Sequence, residues 1–184
     1  MIDDRDDLRA DAKLNRERIL DAAREAFAAS ADASLNAIAK AAGVGPGTLY
    51  RHFPSREALV LGVYRKEIEA LTALAPALVA ERPPEAAFRT WCDRLAQYGR
   101  VKHGLADTLH AAITGRDREE TYGPMVEAVD RLLKAGAAAG VFRAGLDAED
   151  VLLALGFLWR IKPGAGAKAQ AERLIDLLIA GLRA

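Results

Sequence analysis

Apolar residues recur every three to four positions along nearly the whole of this 184-residue chain, the period of an amphipathic α-helix. The first such stretch spans about Leu14 to Ser30, with Ile19, Ala23, Ala26, Phe27 and Ser30 on one face and Arg16, Glu17, Arg24 and Glu25 elsewhere. A second starts at Ser34, a good N-cap residue, and runs to Ala42, with Leu35, Ile38, Ala39 and Ala42 on one stripe. Gly43 follows, where a helix end needs a left-handed residue. The short stretch from Gly45 to Phe53 places Leu49 and Phe53 four apart, and Pro46 fits its first turn.

Ser55 caps a long fourth helix that extends to about Ala80. Pro83 and Pro84 break the chain, and a fifth helix, Glu85 to about Lys102, carries Phe88, Trp91, Leu95 and Tyr98. Gly104 to Ile113 reads as a short sixth. Gly115 and Gly123-Pro124 flank a predicted loop, and a seventh helix ends at Gly140. Asp147 opens an eighth, with Val151, Leu152, Leu155, Leu158 and Trp159 on its apolar face. Pro163 and Gly164 close it. The last helix, Ala167 to Leu182, buries Leu174, Ile175, Leu178 and Leu182. The expectation is an all-α chain of about nine helices.

Composition agrees with this reading. Half of the residues are hydrophobic, but only 6% are aromatic, and the apolar set is dominated by alanine and leucine, which favour helices over strands. Cys92 is the single cysteine, which excludes an internal disulfide and a multi-cysteine zinc site. No apolar run approaches the roughly 18 residues needed to span a bilayer. The acidic start, Met1 to Ala12, lacks the apolar centre of a signal peptide, so a cytoplasmic protein is expected.

The zero formal net charge at first argues against a nucleic-acid partner. Its distribution weakens that objection: residues 1–12 carry −3 and residues 13–56 carry +3. Two short helices joined by a glycine-containing turn, Ser34 to Phe53, form the pattern of a helix-turn-helix. The second helix of such a unit enters the major groove by its N-terminal end and needs small or hydrogen-bonding groups there. Gly45, Pro46, Gly47 and Thr48 leave room for that approach. Tyr50, Arg51 and His52 can reach phosphates or base edges, while Leu49 and Phe53 anchor the helix. Asn36 and Lys40 on the preceding helix and Arg56 on the following one complete the candidate DNA-facing set.

The run Ser34-Leu-Asn-Ala-Ile-Ala-Lys-Ala-Ala-Gly-Val-Gly-Pro-Gly-Thr-Leu-Tyr-Arg-His-Phe-Pro-Ser-Arg-Glu-Ala-Leu59 resembles the headpiece of the TetR/AcrR family of one-component regulators. The preceding Arg18-Ile-Leu-Asp-Ala-Ala-Arg-Glu-Ala-Phe27 is similar to it too, so the resemblance covers about Asn15 to Tyr64. The rest of the chain resembles the family in length and helical layout. The resemblance implies a three-helix headpiece (13–58) and a ligand-binding and dimerisation body (59–184); residues 1–12, outside the resemblance, read from their charge as an acidic, disordered tail. It further implies a homodimer on a palindromic double-stranded operator, released by a small-molecule effector. Thr48, Tyr50 and His52 match the family's DNA-contacting positions, and Arg56 stands where a lysine is common. Gly45 replaces a frequent capping serine or threonine.

In the body, Trp91, Tyr98, His110, Met125 and Phe157 are candidates to line an effector pocket, although aromatics at helical spacing describe plain core equally well. Val151, Leu155, Leu158, Trp159, Leu174 and Leu178 are candidates for a four-helix dimer interface. Neither a cofactor, a metal nor a catalytic role is expected. Gly43, Gly45 and Gly47 follow no strand, which excludes a dinucleotide site, and Cys92, His103 and His110 belong to no catalytic motif. A helical ligand-binding module without DNA recognition is the main alternative, and the intact Thr48-to-Phe53 segment argues against it. Tyr50 as a core residue and His52 as a structural histidine also stay open.

Overall fold

The computed structural model describes residues 4–30, 32–104, 108–109, 112, 114–162 and 164–184. Among them are eight α-helices, one 3-10 helix and no named strand. The helices are α1 (Asp4–Ala29), α2 (Leu35–Ala41), α3 (Pro46–His52), α4 (Arg56–Glu81), α5 (Pro84–Gly104), α6 (Gly115–Ala138), α7 (Ala148–Ala154) and α8 (Ala167–Leu182), with the 3-10 turn Leu155–Arg160 directly after α7. The short helix expected over 104–113 falls largely outside the described residues. Among the described residues no helix is long and apolar enough to cross a membrane.

The chain divides into two compact units. The first runs to Lys66 and takes in Gly104–Ile113; the second holds Glu67–His103 and Thr114–Ala184. The first unit is built on α1. Ile19, Ala23 and Phe27 of the expected face are buried, with Leu20 beside them, whereas Ala26 is half-buried and Ser30 exposed; Ile38 and Ala39 of α2 and Ala42 at its end are buried, with Leu35 half-buried, together with Leu49 and Phe53. The boundary expected at 58/59 lies within α4, because Leu59, Val60 and Val63 of its first turns are buried as well. Gly62 permits this: a Cβ there would lie 2.8 Å from the Phe53 ring and 3.0 Å from Leu20 Cδ2. A Lys66–Asp21 ion pair at 2.8 Å ties α4 to α1 at the surface.

Two expected boundaries are corrected. α1 starts at Asp4 rather than Leu14, so most of the predicted tail is helical. The segment 4–29 contains neither glycine nor proline, so nothing in the backbone interrupts the helix. The loop predicted around 115–124 is the start of α6. Thr114 caps it: the Thr114 hydroxyl accepts from Asp117 N at 3.3 Å, and the Asp117 carboxylate accepts from Thr114 N at 2.9 Å. This reciprocal box starts the helix ahead of Pro124, which then lies within it.

The second unit is held by aromatic packing and by the chain end. Trp91 is fully buried, and its indole N–H donates to the Leu71 carbonyl at 2.9 Å. Phe88 and Phe142 meet edge to face at 5.6 Å. Phe142 follows a turn at Gly140 (φ +69°) and lies against the backbone of α6 at Gly136. A Cβ on Gly136 would fall 2.0 Å from a Phe142 ring carbon. Arg183 pairs with both carboxylate oxygens of Glu85 at 2.8 and 3.0 Å and forms an isolated antiparallel bridge with Phe142. The Arg183 hydrogen bond holds the Glu85 carboxyl below the usual carboxylate range.

Replacing Gly136 by alanine should therefore destabilise the protein by about 1–3 kcal/mol, since overpacking outweighs alanine's better helix propensity. Gly62→Ala should cost less, because its nearest neighbours are the outer ring of Phe53 and a leucine methyl. Urea unfolding of the two variants checks both the sign and the order.

Candidate nucleic-acid interface

α2 and α3 are each seven residues long, too short to be stable alone in water. Their ends carry the signals that fix them. The Ser34 hydroxyl accepts from Ala37 N at 3.2 Å, capping α2. At the other end Gly43 adopts φ +69°. Val44 N donates to Ala39 O at 3.0 Å and Gly43 N to Lys40 O at 3.1 Å, the paired bonds of a Schellman stop. The left-handed glycine turns the chain so that α3 begins three residues later, at Pro46. Gly45 is its N-cap, with extended backbone and no side-chain cap, and Pro46 takes the first turn. α1, α2 and α3 pack on one another.

Leu49 is the buried anchor of α3, at 0% exposure. The opposite face is open: Pro46, Gly47, Tyr50 and Arg51 are exposed, and Thr48 and His52 are half-buried. Tyr50 is 48% exposed, which removes the reading of it as a core residue. Gly45 and Gly47 have nothing within 4 Å of where a Cβ would sit, and neither has positive φ. Nothing among the described residues demands a glycine at either place. On α2, Asn36 and Lys40 are exposed one turn apart. From Ala33 to Arg56 the chain holds Lys40, Arg51 and Arg56 and no acidic residue. Among the described residues neither Lys40 nor Arg51 has an acidic partner. This local lack of acids is a sequence signal that whole-chain net charge hides.

Arg56 is placed differently from the rest. Its Nη1 donates to the Ala33 carbonyl at 2.7 Å, and its guanidinium lies 5.0 Å over the Phe27 ring.

A short helix carrying a buried anchor, a basic outward face and a glycine turn before it is a helix-turn-helix built to present α3. Comparison with known proteins agrees. Residues 19–63 match the model of the bacterial regulatory proteins of the tetR family, and residues 83–184 match the SbtR-like transcriptional regulator C-terminal domain. The chain belongs to the TetR family. It is similar to the TetR regulator SCO0520 of Streptomyces coelicolor, with 41% identity, a TM-score of 0.80, and 91% of this chain and 98% of that one covered. It is also similar to a TetR regulator of Mycobacterium vanbaalenii, at 29% identity, a TM-score of 0.76 and coverage of 96% and 99%. The regulator UidR of Escherichia coli K12 is 41% identical over 70 residues, so the chain spans about a third of that curated relative's length. The protein is thus a TetR-family transcriptional regulator with a DNA-binding helix-turn-helix, and not an enzyme. In keeping with this, Cys92 is fully buried, and desolvation first, then Asp93, pushes its thiol far above the ordinary range. It is a small core residue, not a nucleophile.

The body rearranges the predicted sites. Trp91 and Met125 are buried in packing, and Tyr98 meets Trp159 edge to face at 5.4 Å. His110 lies outside the described residues. Phe157, expected in an effector pocket, instead lines an open groove of about 440 Å3 with Val151, Leu174 and Leu178. The predicted dimer face therefore splits. Val151, Leu174 and Leu178 line the groove, whereas Leu155 and Leu158 are buried within the chain and Trp159 packs on Tyr98. Val151 and Leu152 are buried with Leu155 and Leu158, so most of the apolar stripe expected on this element is covered by its own chain, and the helix turns from α to 3-10 geometry at Leu155. Leu153 and Leu177, 73% and 70% exposed, are the outward leucines that the helical pattern did not single out. A second pocket of about 250 Å3 is lined by Asp93, Gln97, Leu158, Ile161 and Lys168, among others. Burial raises the Asp93 carboxyl above its usual range.

Loss of the α2 cap in Ser34→Ala should destabilise the protein by about 1 kcal/mol. Introducing serine at Gly45, where there is room for it, should gain only a few tenths, because glycine is itself an acceptable N-cap. Thermal unfolding of the two variants measures both.

Proposed function

We propose that this chain acts as a homodimeric repressor that reads a palindromic operator and is released from it by a small-molecule effector. The observation that carries the DNA-reading part is the exposed, acid-free face of α2 and α3 around Gly47, Tyr50 and Arg51. On this reading Thr48 and Arg51 reach base edges and supply sequence preference. Tyr50, His52, Lys40 and Asn36 hold the phosphates and set register. Gly45, Pro46 and Gly47 admit the DNA backbone closely; their lack of side-chain donors leaves base readout to few groups, with Arg51 first.

Dimerisation is supported by the groove between α7 and α8 and by the outward Leu153 and Leu177. Paired across a two-fold axis, these two helices per subunit form a four-helix interface. The headpiece (13–58) then binds DNA while the body (59–184) dimerises and senses. A dimer seated on a promoter blocks polymerase without further parts, which favours repression. For the effector, the pocket at Asp93 and Lys168 is a better starting place than Trp91, Tyr98 or Met125, whose side chains are consumed by packing.

The test is selection of genomic fragments by the purified protein at near-physiological salt with excess competitor DNA. A short palindrome should be recovered. Arg51→Ala should lower the ratio of operator to random-DNA affinity by roughly tenfold or more, since a bidentate base contact is worth about 1–3 kcal/mol. An unchanged ratio would remove Arg51 from base readout, and recovery of no sequence by folded protein would refute the operator reading.

For the dimer, Leu177→Glu should shift the protein to monomer in sedimentation velocity without changing its helical circular dichroism. A variant that remains dimeric would move the interface elsewhere.

A further inference from the structure

The helix-turn-helix runs from Ser34 to Phe53, and it is short of internal support. α3 has one buried residue and no side-chain cap. Its direction is set by what holds the two ends of the segment. Ala33 is the residue immediately before it, and Arg56 stands three residues after it. The Arg56 guanidinium joins these ends: Nη1 donates to the Ala33 carbonyl at 2.7 Å. The same planar group lies 5.0 Å over the ring of Phe27, a buried residue near the end of α1. A second stack runs the opposite way, with Arg16 of α1 placed 5.3 Å over the ring of Phe53. α1 thus grips the chain twice after α3, at Phe53 and at Arg56, and Arg56 carries that hold across to Ala33 before α2.

We propose that Arg56 is a positioning residue that closes the helix-turn-helix on itself and is not a phosphate contact. Its function is to hold α3 in the pose that presents Gly47 and Arg51, and that role rests on the DNA-reading proposal above. The chemistry favours arginine here. A planar guanidinium can stack on an aromatic face while its edge donates to a carbonyl; an ammonium is a hydrated point charge that cannot do both. Arg56 is half-buried, and its guanidinium is already committed to Ala33 and Phe27. Swinging the group out to a phosphate would break both contacts, and its remaining N–H donors are carried in the plane that these two contacts set. Closing the two ends also removes the entropy of a loop of about 20 residues, so that the short α3 need not supply that ordering itself.

The test separates the clamp from the DNA reading by starting without DNA. Amide hydrogen exchange is measured on the full chain for wild type, Arg56→Ala and Arg56→Lys. Both variants should exchange residues 45–53 roughly tenfold or more faster, while amides around Leu20 and Ala23 keep their wild-type rates. Phe27→Leu, which removes the ring but keeps an apolar core residue, should give a smaller acceleration over the same segment. It also serves if Arg56→Ala does not fold. A duplex recovered by genomic selection is then titrated at several salt concentrations. Both Arg56 variants should bind it more weakly, with the slope of log affinity against log salt unchanged. The proposal is overturned if exchange over 45–53 is unaltered. It is also overturned if Arg56→Lys binds as wild type does while Arg56→Ala loses about 0.9 in slope, the mark of one lost phosphate contact. If no duplex is recovered, the exchange data still decide whether the clamp exists, and only the DNA reading fails.

Discussion

The burial of Leu49 and Phe53 against α1 and α4 is the interaction on which the rest of the headpiece depends. A helix of seven residues does not persist in water on its own propensity. α3 exists because Leu49 is fully enclosed and Phe53 nearly so, and because the Gly43 turn delivers the chain to that position. Once those two side chains are fixed, helix geometry assigns the remaining ones. Tyr50 and Arg51 have to face outward, and Gly47 has to lie on the open side. The DNA-facing surface is the remainder left by the packing. Gly62 extends the same logic, since the Phe53 ring can lie where it does only because α4 carries no side chain at that point.

The surface left over is unusual in what it lacks. It has no acidic residue and little side-chain bulk at the start of α3, and two of its glycines meet no constraint from the described residues. Conformational freedom and close packing, the usual intramolecular reasons for glycine, are absent at Gly45 and Gly47 and present at Gly43 and Gly62. That contrast within one segment points to a demand from outside the chain. Arg56 shows the reverse: a cation that by residue type belongs with the DNA-facing set has its guanidinium turned inward onto Ala33 and Phe27.

The second unit solves a different problem. It is held by aromatic contacts between elements distant in sequence, Phe88 with Phe142 and Tyr98 with Trp159, and by a chain end fastened through Arg183 to Glu85. These contacts use up the large side chains that would otherwise suggest a ligand site. The apolar surface left over is instead the α7–α8 groove with Leu153 and Leu177 exposed, as expected of a surface to be covered.

The sequence by itself determined the helical class, the positions of most helices, the Gly43 turn, the Ser34 cap, the buried stripes of α1, α2 and α5, and the helix-turn-helix with its outward residues. These follow from local rules: side-chain period, capping chemistry and the steric freedom of glycine act within a few residues of chain. Tertiary structure alone decided the rest. A guanidinium looks the same in the sequence whether it faces a phosphate or a carbonyl 23 residues away, so Arg56 could not be placed. The period of an apolar stripe does not say whether its own chain or a second copy covers it, so Leu155 and Leu158 read as a dimer face although they are buried within the chain. Trp91 and Tyr98 read equally as core or as pocket until their neighbours were known. In each case the missing information is the identity of a distant partner, which periodicity along one chain does not contain.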